Sequence, residues 1–240
     1  TIDASLMSGL TTVGVSSSSS SGDSVFSGLK SIVDADMSNG SGDLTLTYVS
    51  SVISGSADTQ NLNLSNVSGG TFTANGAETI VLNSGTSKNK LTGISATSNK
   101  TLTITGDQPL TITTDLTTKT IDASAATGPV SLSIGQQATS TVTGGSGDDS
   151  IQFKAAEISK ADTIKGGAGT DTLRLAVGNV TYDGESTDEL YGVSEFEILD
   201  IDAQHDNAEV ELDTIDSGFK TLKAAANTII VTPTGNAGDE

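Results

Sequence analysis

The sequence predicts an all-β protein wound as a right-handed parallel β-helix, a β-solenoid with glycine-rich turns. Three observations lead there. Apolar residues alternate with Ser and Thr along nearly every extended segment, which turns one row inward and leaves the other in solvent. The segments are short and recur roughly every 8–12 residues, with Gly, Asn, Asp or Ser between them. Phrases also repeat inside the chain, and units that bury an apolar face only when stacked are the mark of a solenoid. A β-sandwich is the alternative for the N-terminal half, where the repeats are degenerate.

Taken in order, the strands are centred on Leu44/Leu46/Tyr48, Leu62/Leu64, Ile80/Leu82, Leu102/Ile104, Leu110/Ile112, Val130/Leu132/Ile134, Ile151/Phe153, Leu173/Leu175/Val177, Val210/Leu212 and Ile229/Val231. TIDAS occurs at Thr1–Ser5 and again at Thr120–Ser124, which divides the chain into a degenerate β-repeat segment, 1–119, and a second solenoid segment, 120–240. A further phrase recurs as GLKSI (Gly28–Ile32), GAETI (Gly76–Ile80) and GFKTL (Gly218–Leu222), with a looser version in GVSEFEIL (Gly192–Leu199). The serine run Ser16–Ser21 reads as a surface loop.

Composition narrows the function. Of 240 residues only 34% are hydrophobic and 3% aromatic, so the core is thin and lined by Val, Ile, Leu and Thr. A net charge of −19 argues against nucleic acid or anionic lipid as a partner and favours cations. The absence of cysteine removes disulfides, thiol nucleophiles and thiolate metal sites together. No run approaches 18 apolar residues, so membrane insertion by a helix is not expected. The start, TIDASLMSGL, is neither an initiator Met nor a signal pattern, and the chain reads as a fragment with flanking domains elsewhere.

The strongest local signal is a doubled glycine corner. Gly144-Gly145-Ser146-Gly147-Asp148-Asp149-Ser150-Ile151-Gln152 fits G-G-x-G-x-D-x-U-x at every fixed position, and Gly166-Gly167-Ala168-Gly169-Thr170-Asp171-Thr172-Leu173-Arg174 fits it again 22 residues later. This nonapeptide builds a calcium-binding parallel β-helix. Glycine lets the backbone turn so that carbonyl oxygens point into the corner. Ca²⁺ takes six to eight hard oxygens, which carbonyls and carboxylates supply. Two nonapeptides make a coil of about 18 residues, so the longer gap implies a four-residue insertion, placed within 154–161. Stacking the corners would set Asp149 and Asp171 near one ion, with Asp148 beside them. Asp162 holds the acid position of a half-formed preceding unit. Plain β-turns are the competing reading, but two complete copies in register with strands favour Ca²⁺.

Other clusters are weaker. Asp34, Asp36, Ser38 and Asp43 alternate in DADMSNGSGD and form a second candidate for Ca²⁺. The acidic run Asp200–Glu211 lacks the turn glycine of an EF-hand, and GSADT (Gly55–Thr59) and NSGTSKNKL (Asn83–Leu91) read as decayed corners. Catalysis finds no support. His205 is the only histidine, no G-x-S-x-G offers a nucleophile, and the acid pair Asp188/Glu189 comes without the aromatic platforms of a polysaccharide-cleaving enzyme. The chain is read as a non-enzyme.

The two corners, the phrase TIDASAATGPVSLSI (Thr120–Ile134) and the phrase GVSEFEILDID (Gly192–Asp202) together resemble RTX-bearing S-layer proteins of Gram-negative bacteria. The resemblance implies type I secretion, a place in the S-layer at the cell surface, bound Ca²⁺ and self-association into a lattice, with cell-surface polysaccharide as a candidate partner. It further implies ligands from the carbonyls of Gly144, Gly145, Ser146, Gly147, Gly166, Gly167, Ala168 and Gly169 and the carboxylates of Asp149 and Asp171. Two complete copies in place of a long array imply isolated ions pinning an otherwise ordinary solenoid. The alternatives are a calcium-binding stalk or ligand-binding segment of a type I-secreted adhesin, and a non-catalytic repeat region of a secreted RTX enzyme.

Overall fold

The computed structural model describes residues 1–135, 139–154, 158, 161–177, 190, 192–203, 208–211, 218–224 and 228–231. The alternation read from the sequence becomes strand after strand, and every pairing among the described residues is parallel. One nine-stranded sheet runs through the order β2 (Thr12–Ser16), β4 (Asp34–Ser38), β6 (Thr59–Ser65), β8 (Thr79–Gly85), β11 (Thr101–Gly106), β13 (Thr120–Ala126), β15 (Thr141–Thr143), β17 (Thr163–Lys165), β19 (Val193–Ser194). The chain alternates between this sheet and two others. A five-stranded sheet holds β1 (Ile2–Asp3), β3 (Ser24–Leu29), β5 (Leu44–Tyr48), β7 (Thr71–Ala74) and β10 (Gly93–Ser95). A seven-stranded sheet takes over with β9 (Asn89–Leu91), β12 (Leu110–Ile112), β14 (Val130–Ile134), β16 (Ser150–Lys154), β18 (Thr172–Val177), β20 (Ile198–Ala203) and β22 (Thr221–Ala224). β21 (Ala208–Glu211) and β23 (Thr228–Val231) form a separate parallel pair.

The result is a β-solenoid of about eight turns, with no helix among the described residues. The N-terminal half is solenoid as well, which corrects the sandwich alternative. A sandwich needs antiparallel pairing, whereas β2 to β8 pair only in parallel, each strand one coil beyond the last. Parallel strands need long connections, and here the opposite side of each coil supplies them. The nine-stranded ladder also passes residue 119 without a break, since Thr101 of β11 pairs with Thr120 of β13.

Register stacks like on like. Ile80, Leu102, Ile121, Val142, Ile164 and Val193 are successive partners and all are buried, so one apolar column runs through six coils. Leu132, Ile151, Leu173 and Leu199 form a matching column in the seven-stranded sheet. Each such side chain contributes roughly 1.5–3 kcal/mol by leaving water. Outside, Thr59, Thr79, Thr101, Thr120, Thr141 and Thr163 make a threonine row of the same length. The inner column begins at Gln60, a fully buried amide. Its oxygen accepts the Tyr48 hydroxyl, and its nitrogen donates to the carbonyls of Val33 (2.8 Å) and Asn61 (2.7 Å). Burial pushes the Tyr48 hydroxyl up to about 12.

Corners are set by backbone conformation. In the N-terminal coils, the residue following β2, β4 and β6 is left-handed each time: Ser17 (φ 56°), Asn39 (φ 52°) and Asn66 (φ 57°). Asn tolerates this region better than most residues because its short side chain bonds locally. Here the Asn66 amide donates to Asn39 Oδ1 at 3.1 Å, so the two turns brace each other. The TIDAS repeat is preserved as a local turn. Asp3 Oδ1 accepts the Ser5 N–H at 2.8 Å and Asp122 Oδ1 accepts the Ser124 N–H at 3.0 Å, although β1 and β13 lie in different sheets.

Candidate metal centre

The two glycine corners lie directly on top of each other. Register pairs Thr143 with Lys165 at their entry and Ser150 with Thr172 at their exit. Between these points the Gly144 N–H donates to the Lys165 carbonyl (2.9 Å), Ala168 to Gly145 (2.9 Å) and Thr172 to Asp149 (2.8 Å). The stacking is tight enough to demand glycine. A Cβ on Gly144 would overlap the carbonyl oxygen of Gly166, and one on Gly166 would overlap that of Glu195. Gly167 (φ 100°) and Gly169 (φ 135°) add the left-handed geometry that a side chain resists.

The carboxylates occupy this corner in a ladder. Asp149 is 2% exposed, with Oδ1 accepting the Val130 N–H (2.7 Å) and Oδ2 the Gly145 N–H (2.6 Å). Asp171 is fully buried, and its Oδ1 accepts the Asp149 N–H at 2.7 Å. Its second oxygen, Oδ2, is buried and makes no hydrogen bond. Asp148 stands exposed at the rim and accepts the Thr170 N–H at 2.8 Å. Burial raises the Asp171 carboxyl from 3.8 to about 6, the Asp149 N–H opposes the rise, and Asp149, Glu197 and Asp148 push it further. Asp149 is also raised by burial, against its bonds from Gly145 and Val130.

The structure therefore gathers Gly144, Gly145, Ser146, Gly147, Asp148, Asp149, Gly166, Gly167, Ala168, Gly169 and Asp171 into one corner. It does not bring Asp162 there. That residue precedes β17, whereas Asp149 and Asp171 precede strands of the seven-stranded sheet, so it lies at the opposite bend of the coil. There the buried Asp162 accepts the Ser140 N–H at 2.5 Å, repeating the device half a turn away. The DADMSNGSGD residues separate as well. Asp34 and Asp36 sit on β4 and accept the amides of Asn61 and Asn63, both at 2.9 Å, while Asp43 accepts the Thr71 N–H at 2.7 Å on another face. GSADT is a turn in which Asp58 accepts the Gly55 N–H at 3.2 Å. The predicted insertion within 154–161, apart from Lys154, Ile158 and Ala161, and the residues Asp188, Glu189 and His205 lie outside the described residues.

Sequence reasoning missed two side chains that hold bends of the solenoid, one of them outside this corner. Asn89, inside the supposed decayed corner NSGTSKNKL, is buried and fully used. Its Oδ1 accepts the Val67 N–H (2.9 Å), and its Nδ2 reaches Ser84 Oγ (2.9 Å) and the carbonyls of Gly85 (3.2 Å) and Ser87 (2.7 Å). Glu197 accepts the Asp171 N–H at 2.9 Å, yet belongs to no glycine motif. Its signals in the sequence were its place directly before an apolar strand and its membership of the recurring phrase GVSEFEIL.

Two observations bear on a cation here. A buried carboxylate oxygen without a partner is unfavourable by roughly 1–3 kcal/mol or more, and a hard cation would satisfy it. Among the described residues no three acidic or histidine side chains converge, so most oxygens offered to an ion would be backbone carbonyls of the stacked glycine turns. Asp171 Oδ2 and those carbonyls fit Ca²⁺ by donor type. No known family model matches the chain, and neither a curated protein nor a solved structure matches it.

Proposed function

We propose that the chain is a structural module of a cell-surface protein layer, a solenoid whose glycine corner is fixed by Ca²⁺ and whose copies associate into a lattice. The observation that carries the reading is the buried, unpartnered Asp171 Oδ2 within two stacked nonapeptide corners. Bound Ca²⁺ supplies positive charge where burial and neighbouring carboxylates disfavour the anion. The chain's own residues do the rest: glycines allow the coils to approach, Asp149 holds the Gly145 and Val130 N–H groups, and Asp171 holds that of Asp149.

With a net charge of −19, copies repel one another, and a divalent cation between acidic faces offsets that repulsion. Electron microscopy in Ca²⁺ and then in EGTA tests the reading. Ordered two-dimensional sheets that need Ca²⁺ are expected. A monomer in both conditions contradicts the lattice role and favours a stalk segment of a secreted adhesin.

A further inference from the structure

The phrase GVSEFEIL has no glycine doublet, yet it forms the third layer of the corner that the two nonapeptides begin. β19 pairs with β17 through Ile164↔Val193 and Lys165↔Ser194, and the Gly166 N–H donates to the Ser194 carbonyl at 3.0 Å. Glu195 then covers Gly166 as Gly166 covers Gly144, and it takes a left-handed turn (φ 62°) to do so. Glu197 stands immediately before β20, as Asp149 stands before β16 and Asp171 before β18. The hydrogen bonds repeat too: the Asp149 N–H donates to Asp171, and the Asp171 N–H donates to Glu197 Oε2.

The carboxylate oxygens of this ladder differ in how far the backbone already engages them. Both oxygens of Asp149 already hold backbone N–H groups. Asp171 uses Oδ1 and leaves Oδ2 buried without a partner. Glu197 uses Oε2 on the backbone, and its Oε1 lies 3.7 Å from the Lys220 ammonium at a partly exposed position. Such a surface pair holds its oxygen only weakly.

We propose that Glu197 is a cation ligand, so that the charged oxygens of the site come from Asp171 and Glu197 and not from Asp149. This rests on the Ca²⁺ reading above. Asp149 becomes a positioning residue, which holds the turn by its two N–H bonds. The ion would thus tie the second nonapeptide to a coil that carries no motif.

Isothermal titration of the metal-free full chain with Ca²⁺ separates the two ideas. If the wild type takes up no Ca²⁺, the underlying reading fails and the inference falls with it. Given wild-type binding, Glu197→Gln, which keeps an acceptor for the Asp171 N–H, should weaken affinity by about tenfold or more, as should Asp171→Asn. Asp149→Asn sets an amide NH2 against one of the two N–H groups that the carboxylate holds, so it should lower the melting temperature in EGTA and in Ca²⁺ alike while weakening affinity less than Glu197→Gln does. Unchanged affinity in Glu197→Gln, or a loss confined to Asp149→Asn, overturns the assignment. Thermal melts in EGTA guard against a merely structural effect. The metal-free melting temperature of Glu197→Gln should match or exceed that of the wild type, while the rise on adding Ca²⁺ shrinks. An equal fall with and without Ca²⁺ overturns the proposal.

Discussion

At the scale of single residues, Gly166 and Asp171 divide the work of the corner between shape and charge. Gly166 is required by the approach of the Glu195 carbonyl, so Gly166→Ala forces the coils apart. It should destabilise the chain by about 1–3 kcal/mol, read as a lower midpoint in urea unfolding. A midpoint equal to the wild type would mean that the corner is looser than the stacking implies. Asp171 carries the electrostatic tension. Its carboxyl is raised from 3.8 to about 6, so folding favours the protonated form. The associated stability is fully present below 3.8 and is lost as pH rises through about 6. In EGTA, Asp171→Asn should therefore flatten the fall in melting temperature between those pH values. The same slope in wild type and variant would place the titration elsewhere.

At the scale of elements, the unit is a strand followed by a bend whose N–H groups are held by a side chain of a neighbouring coil. Asn89 does this for Val67, Asp149 for Val130 and Asp162 for Ser140. Asn89→Ala leaves the Val67 N–H and the carbonyls of Gly85 and Ser87 without that partner, which should reduce stability by about 1–3 kcal/mol. Amide exchange at Val67 should speed up in the variant, and unchanged exchange there would show that Asn89 does not hold the bend. The strands were legible in the sequence because alternation is a local signal: Leu44, Leu46, Leu102 and Ile104 are all buried, as their spacing requires. The positions of the bends were legible from Gly, Asn, Asp and Ser between the strands, but their backbone conformation was legible only in the two glycine corners. Ser17, Asn39 and Asn66 adopt left-handed geometry at the same place in successive coils, and the pattern shows only once the coils are stacked. Glu197 lies in the recurring phrase GVSEFEIL, but without a glycine doublet its place in the corner was not legible. Asp162 was assigned to the right kind of position, before a strand, but nine residues of a coil reach the opposite bend.

For the whole molecule, parallel stacking makes stability nearly one-dimensional, with each coil supported by its neighbours. Apolar columns supply the common core, and the acid ladder from Asp149 through Asp171 to Glu197 concentrates negative charge at one corner of three successive coils. An ion bound there acts on the folded state alone and stabilises it by about 2.7 kcal/mol at a hundredfold excess over Kd. The direct test is the melting temperature of the full chain in EGTA and across a Ca²⁺ titration at neutral pH, with Mg²⁺ and Asp171→Asn as controls. The account predicts a rise that grows with Ca²⁺ concentration, is far smaller with Mg²⁺ and disappears in Asp171→Asn. A melting temperature that is the same in EGTA and in saturating Ca²⁺ would contradict it.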